Sequence, residues 1–297
     1  MWLNLFKNLK LDFVKYDENL KKYNTFSVGG IADVIAFPST IEELLVVLNF
    51  IKQYKVNYMI LGNGSNVIFS SNRFEGIIIK LDKFNNIVFE DNKVTVDAGY
   101  SFIKFSNELC NKGISSFEFA TGIPGSIGGA VYMNAGAYKS SISDVLDSVT
   151  FLDDKLKIKT IKNKDCKFGY RDSIFKHKNY IILSAKFNIK KGNVDEIKAL
   201  VEDRRERRLS TQPIEQKSAG STFRNPEEVP AWKVIDECGL RGKRIGGVSV
   251  STKHSNFIVN DNEGTGEDIK ELIDLIKEEV KKNKKIDLVL EQELINF

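Results

Sequence analysis

Two glycine-rich runs stand out for the chemistry their residues permit: Gly62–Asn63–Gly64–Ser65–Asn66 and Thr121–Gly122–Ile123–Pro124–Gly125–Ser126–Ile127–Gly128–Gly129–Ala130. Glycine lets backbone N–H groups close on a phosphate with no Cβ in the way, and successive N–H groups then form a concave anion site. Neither run has the Gly-x-Gly-x-x-Gly spacing of a Rossmann dinucleotide site or the Gly-Lys-Ser/Thr of a P-loop. Two such loops about sixty residues apart fit one long, diphosphate-bridged cofactor held at two places. Tight turns in a β-rich domain are the alternative that glycine content alone leaves open.

Other positions offer charge or protons. Arg171, in Gly169–Tyr170–Arg171–Asp172–Ser173, reads either as a fixed cation for an anionic substrate or as a loop arginine paired with Asp172. Ser221 closes the small-residue run Ser218–Ala219–Gly220–Ser221. No histidine or lysine flanks it, which argues against an activated nucleophile. Glu291 and Glu293 are expected on one face of a terminal strand, since side chains alternate with period two, and spacing does not choose between them. Asn134 and Tyr138 read equally well as polar contacts or as turn and packing residues.

The elements that must position these groups are legible in outline. Pro38–Ser39–Thr40–Ile41–Glu42 predicts a helix start with Ser39 and Glu42 at capping-box spacing, followed by Ile41, Leu44, Leu45, Leu48 and Ile51 on one face. Short strands are expected at Tyr58–Leu61, running straight into the first glycine loop, at Val67–Phe69 and at Gly76–Leu81. Ile87–Phe89 and Val94–Gly99 read as a hairpin, and Gly113 as the left-handed cap of a helix marked by Phe102, Phe105 and Leu109. Strands near 149–152, 158–161 and 180–189 and a helix through Ile197, Leu200 and Val201 lead to a boundary around Thr211–Gln212–Pro213. Beyond it come helices near 232–238 and 268–281 and strands near 248–250, 257–259 and 288–293. No strict βαβ rhythm appears, so the class is α+β without a doubly wound sheet. Three segments are expected, 1–82, 83–203 and 204–297.

Composition narrows the function. At 297 residues, 42% hydrophobic and 28% charged, the chain describes an ordinary globular protein with room for two or three cores. No apolar run approaches the ~18 residues of a bilayer span, and the start lacks a secretory pattern, so a cytoplasmic location is expected. Three scattered cysteines and two histidines offer neither a disulfide framework nor a metal cluster. A net charge of +4 does not indicate nucleic acid. The basic runs 204–208 and 281–285 read as solvated helix ends. No membrane, nucleic-acid or obligate protein partner is evident, and a small molecule is the expected one.

The ordered set of motifs also resembles a known family. Asn24–Thr25–Phe26–Ser27–Val28–Gly29–Gly30, the first glycine loop, the run from Thr121 to Tyr138, Phe168–Ser173, Ser218–Pro226, Ile245–Gly246–Gly247 and Lys253–Asn260 together resemble the UDP-N-acetylenolpyruvoylglucosamine reductases, across nearly the whole chain from Asn24 to Glu293. The resemblance implies a vanillyl-alcohol-oxidase-type FAD-binding fold of two α+β subdomains followed by a substrate domain. It also implies FAD and NADPH as cofactors and a UDP-sugar as substrate. It assigns the FAD to Gly62, Asn63, Gly64, Ser65 and Asn66 and to Gly122, Ile123, Pro124, Ser126, Gly128, Gly129 and Asn134. Arg171 becomes a charge stabiliser, Ser221 a proton donor and Glu293, rather than Glu291, the catalytic carboxylate. Tyr170, Lys217, Arg224, Asn225 and His254 become substrate contacts, with Lys217 and Arg224 suited to phosphates. The length matches the family's shorter members. The ending Glu293–Leu294–Ile295–Asn296–Phe297 departs from the family by lacking its usual arginine.

Overall fold

The computed structural model describes residues 2–297. Its contacts divide the chain into two compact units, each discontinuous in sequence. The first comprises Met1–Lys15, Val34–Asn63 and Gly76–Glu206, and the second Tyr16–Asp33, Gly64–Glu75 and Arg207–Phe297.

In the first unit, helix Ile41–Tyr54 buries Leu44, Val47, Leu48, Phe50 and Ile51, and the Phe50 ring meets Phe6 edge-on at 4.8 Å. Its cap lies one residue beyond the expected Ser39: Thr40 Oγ1 accepts from the Glu43 N–H at 3.2 Å, while the Glu43 carboxylate reaches back to the Ser39 N–H at 2.6 Å. The capping physics is the expected one, shifted in register. Strand Tyr58–Ile60 pairs in parallel with Phe74–Ile79, Tyr58 opposite Ile77 and Ile60 opposite Ile79.

The larger sheet of this unit is antiparallel throughout, in the order Ile158–Lys162, Leu146–Leu152, Ile181–Asn188, Lys93–Asp97, Ile87–Glu90. Its alternation is two-sided. Val94, Val96, Val149, Ala185 and Phe187 are buried, while Lys93, Thr95, Ser148, Thr150, Ser184 and Lys186 line a polar concavity on the other face. Phe105, Phe117 and Phe187 form an aromatic cluster on the buried side, with ring centroids 5.3–5.6 Å apart. The short helix Ile127–Tyr132 packs on Ile181–Asn188 and Lys93–Asp97, which fixes the second glycine loop to the sheet.

The second unit is built on helix Gly266–Lys284. Its capping box pairs Thr265 with Asp268, and Ile269, Leu272, Ile273, Ile276 and Val280 form its buried stripe. That stripe shares a core with Val234 and Ile235 of helix Ala231–Glu237, with Val248, Val250 and Ile258 of a three-stranded antiparallel sheet, and with Phe26, Val28 and Ile68. Strand Glu293–Ile295 runs parallel to Val67–Phe69, Glu293 opposite Val67.

Two local expectations are corrected. The terminal strand is Glu293–Ile295 and not 288–293, because Leu290 makes only an isolated bridge to Phe223 before the chain turns to a new partner. The basic run 204–208 lies inside helix Val194–Thr211, with Arg208 alone in its last turn. Near the terminus, Asn296 Nδ2 donates to the Asn72 and Arg73 carbonyls at 3.3 and 3.0 Å.

Candidate active site

The first glycine loop begins in the first unit, directly after strand Tyr58–Ile60, and its opening residues are held by the neighbouring strand's end. Leu61 N–H donates to Ile79 O at 2.9 Å, and Lys80 Nζ donates to Gly62 O at 2.7 Å. A Cβ placed on Gly62 would lie 2.7 Å from Ser126 Oγ, so the two glycine loops meet here within one unit. Ser126 caps helix Ile127–Tyr132 by accepting from the Gly129 N–H at 3.2 Å. Gly128 donates to Ala98 O at 2.8 Å, and a Cβ on Gly128 would sit 3.1 Å from that of Ala98. By contrast, the nearest atom to a Cβ on Gly129 is Ser126 Oγ at 3.5 Å. Ile123 N–H closes a turn onto Ala120 O, and Gly125 O accepts from the Phe102 N–H, so Gly122, Ile123, Pro124 and Gly125 form a loop pinned at both ends. Close packing at Gly62 and Gly128, with only an ordinary contact beside Gly129, is a cradle suited to a phosphate-bearing cofactor such as FAD.

Asn134 does structural service beside this cradle. Its Nδ2 donates to Gly169 O at 2.9 Å and its Oδ1 accepts from the Ser143 N–H at 3.0 Å. Through Gly169 it steadies the Arg171 turn, where Gly169 and Asp172 exchange backbone hydrogen bonds and Arg171 adopts φ 56°. Arg171 Nη2 donates to Gly136 O at 2.9 Å, and its guanidinium lies 5.3 Å from the ring of Tyr170, itself 54% exposed. Asp172 is engaged by His177 Nε2, at 2.9 Å and 3.0 Å from its two carboxylate oxygens, which holds that carboxyl below its usual range. The Asp172 carboxylate is thus engaged by His177, while Arg171 is fixed by backbone.

The rest of the first loop belongs to the second unit. Gly64 has φ +66°, and a Cβ there would lie 2.2 Å from Tyr23 O. Thr25 N–H donates to Gly64 O at 3.1 Å, and the Asn24 side chain, bonded to Leu20 O and Val28 O at 2.7 Å each, holds the Asn24–Gly30 motif under it. Asn66 ties the loop to the chain terminus: its carbonyl accepts from the Glu293 N–H at 2.9 Å, and its Nδ2 donates to Glu291 O at 3.2 Å. Glu291 N–H turns instead to Thr222 O at 2.9 Å. Glu291 thus bridges the Ser221 segment and the glycine loop, through its N–H and its carbonyl, while the Glu293 N–H is bound to the glycine loop.

Ser221 follows Gly220, whose φ is +75° and whose missing Cβ would meet nothing within 4 Å. Its hydroxyl has no protein hydrogen-bond partner among the described residues. Two carboxamides that sequence reading did not single out, those of Gln292 and Asn256, hold this turn. Gln292, 3% exposed, donates to Ala219 O and Gly220 O at 3.0 and 3.3 Å. Asn256 brackets Phe223 with two hydrogen bonds of 2.9 and 2.8 Å, and its carbonyl accepts from the Thr222 N–H. Asn260 N–H donates to Lys217 O at 2.9 Å.

The expected substrate contacts all lie in this unit except Tyr170. Asn225 Oδ1 accepts from the Ala231 N–H at 3.1 Å at the start of helix Ala231–Glu237, Lys217 is 3.6 Å from Glu263, and Arg224 N–H donates to Val289 O. His254 packs against Phe257 at 4.9 Å, its Nδ1 accepts from the Asn256 N–H, and burial pushes its pKa below the ordinary value. Cys110 and Cys166 are buried, which pushes both thiols up to about 12.

Comparison with known proteins bears on both units. The family pattern described as the UDP-N-acetylenolpyruvoylglucosamine reductase C-terminal domain matches residues 212–295, and one described as an FAD binding domain matches residues 32–162. The UDP-N-acetylenolpyruvoylglucosamine reductase of Clostridioides difficile (strain 630) is 40% identical over 295 residues, 99% of this chain and 96% of its own. That of Caldanaerobacter subterraneus subsp. tengcongensis is 39% identical over 279 residues, 94% and 92% of the two chains. The crystal structure of the corresponding reductase (MurB) from Thermus caldophilus matches with a TM-score of 0.80 at 31% identity, covering 95% of this chain and 97% of that one. Phl p 4.0202, a glucose dehydrogenase, shares the fold alone, with a TM-score of 0.50 at 13% identity over 65% and 44% of the chains. The expected FAD-binding fold of the vanillyl-alcohol-oxidase type is borne out.

Proposed function

Because this chain belongs to the UDP-N-acetylenolpyruvoylglucosamine reductase family, we propose that it reduces UDP-N-acetylglucosamine enolpyruvate to UDP-N-acetylmuramate, with FAD as cofactor and NADPH as the hydride source. The observation that carries this reading is the 40% identity extending over 99% of the chain, so that the cofactor half and the substrate half are matched together. Such a product is a peptidoglycan precursor, which connects the activity to cell-wall synthesis, cell shape and division in the cytoplasm.

Gly62–Asn66 and the loop from Gly122 to Gly129 would hold the FAD, whose chemistry when bound is to take hydride from the nicotinamide and deliver it to the terminal enolpyruvyl carbon. The chain's own groups manage the charge and the proton that follow. Electron density pushed from the double bond accumulates on the carboxylate-bearing carbon and its carboxylate, where the guanidinium of Arg171 stabilises it. Ser221 Oγ–H then gives its proton to that carbon, and the serine recovers a proton from solvent. Serine is a weak acid, so its contribution rests on position, for which the Gln292 and Asn256 clamps provide a basis. Glu293 joins Arg171 in stabilising the charge that develops there. Tyr170, Lys217, Arg224, the amide nitrogen of Asn225 and His254 would bind the UDP-sugar.

Stopped-flow measurement of the two half-reactions tests the assignment. Ser221→Ala should leave FAD binding and reduction by NADPH near wild type and slow oxidation by the enolpyruvyl substrate by about 100- to 10,000-fold. Ser218→Ala and Glu291→Gln should be mild, whereas Glu293→Gln should impair the same half-reaction. A Ser221→Ala protein that reoxidises at the wild-type rate sinks the mechanism, and wild-type protein that carries no flavin sinks the function.

A further inference from the structure

Lys80 is a buried charge for which the catalytic scheme has no use. It interrupts the apolar run Ile77–Ile78–Ile79–Lys80–Leu81 and is only 6% exposed. Its N–H extends the sheet by donating to Ala36 O at 2.9 Å. Its ammonium donates to Gly62 O at 2.7 Å and lies 3.3 Å from Asp82, whose side chain is 47% exposed. Water still solvates that carboxylate, so the ammonium bears most of the desolvation, and burial lowers its pKa. A stretch of chain that needed only to pack would be more stable with an apolar residue here.

What the ammonium does is orient a peptide. In a trans peptide unit the C=O and N–H point in opposite directions. Fixing Gly62 O toward Lys80 therefore turns the Asn63 N–H away from the sheet, toward the open side of the loop. That N–H donates to no protein acceptor among the described residues. An outward N–H backed by a buried positive charge is an anion-binding arrangement, and the low-polarity surroundings weaken solvent screening of that charge.

We infer that Lys80 is a positioning residue for the cofactor's diphosphate, locking the Gly62–Asn63 peptide into its anion-binding orientation and supplying the positive charge behind it. The inference rests on the reading that this loop holds the FAD diphosphate. Lys80→Met preserves length and volume while removing the charge and the donor. In apoprotein prepared by removing FAD, Lys80→Met should melt within about 3 °C of wild type. Its dissociation constant for FAD should rise at least about tenfold, and ADP, used as a probe of the diphosphate half alone, should weaken in parallel. Lys80→Arg, which keeps charge and donor, should recover most of the FAD affinity. Wild-type affinity for FAD and ADP in Lys80→Met overturns the inference and leaves the FAD reading standing. So does a loss of affinity accompanied by a fall in apoprotein melting temperature much beyond that range, since the lysine would then be structural. Wild-type protein that binds neither FAD nor ADP overturns the loop reading beneath it, and this inference with it.

Discussion

Gly128 in the first unit and Ser221 in the second are both held in place by backbone hydrogen bonds, but the holding is done by different kinds of group. Around Gly128 the partners are main chain: Gly128 N–H to Ala98 O, Phe102 N–H to Gly125 O, Ile127 N–H to Tyr100 O. Side chains enter only at the edges, through Ser126 and Lys80. Around Ser221 carboxamides join the main chain: Gln292 holds Ala219 and Gly220 and the Asn256 side chain holds Phe223, while Thr222 is bonded by the Asn256 carbonyl and the Glu291 N–H. A cradle for a large anion needs many N–H groups and no side-chain volume, whereas a single proton donor needs one hydroxyl held at one place. The first kind of site should fail when a Cβ is added, and the second when a side chain is shortened.

The largest expected effect tests that difference among the glycines themselves. Gly64→Val places a branched side chain at φ +66° with its Cβ 2.2 Å from Tyr23 O, so the protein itself should be destabilised by about 3 kcal/mol or more, with or without cofactor. A Cβ at Gly129 meets only an ordinary contact, 3.5 Å from Ser126 Oγ, so the Gly129→Val apoprotein should melt nearer wild type than Gly64→Val while FAD binding is lost. Thermal melts of the two apoproteins beside FAD titrations measure this, and equal melting losses in both would erase the distinction between turn glycine and cofactor glycine.

A smaller effect is expected at the carboxamide clamp. Gln292→Ala leaves the Ala219 and Gly220 carbonyls without their donor, which should cost about 1–3 kcal/mol in unfolding free energy. The enolpyruvyl half-reaction should slow by roughly tenfold while FAD affinity stays unchanged, since a 1 Å misplacement of a donor is costly in rate. Denaturant titration and the separated half-reactions report the two quantities. Weakened FAD binding with an unaffected half-reaction would place the clamp on the wrong side of the comparison.

The smallest effect is electrostatic. Asp236 is held below the usual carboxylate range first by the Arg241 guanidinium and then by the Ser255 hydroxyl. A depressed folded pKa contributes stability above the unfolded value, near 3.9, that is lost as pH falls through the folded value. Asp236→Asn should therefore flatten the loss of melting temperature between about pH 5 and pH 2 relative to wild type. Unchanged acid dependence in the variant would assign that loss to other carboxylates.

Much of the local structure was open to reading because it depends on neighbours in sequence. The hairpin around Asp91–Asn92, the Gly113 cap at φ +70° and the strand Val248–Val250 follow from period, turn residues and glycine placement. Errors fell where a choice was between adjacent donors or between partners far apart. Thr40 outcompetes Ser39 as the cap although both carry a hydroxyl. The terminal strand begins at Glu293 because Val67–Phe69, some 225 residues earlier, provides its edge only there.

By itself, the sequence determined what each site residue can be: small at Gly62, Gly64, Gly128 and Gly129, cationic at Arg171, hydroxylic at Ser221, acidic at Glu293. It determined the family as well, since the motifs keep their order along nearly the whole chain. Only the tertiary structure decided which residues support them. That Asn66 joins the first glycine loop to Glu291, that Gln292 grips the Ser221 turn and that Lys80 fixes Gly62 are pairings made across 18 to 225 residues of chain. Segments 16–33 and 64–75 belong with 207–297 for the same reason. Hydrogen bonds between distant segments leave no periodicity in sequence; they exist once burial has brought the segments together and removed the water that would otherwise satisfy each group.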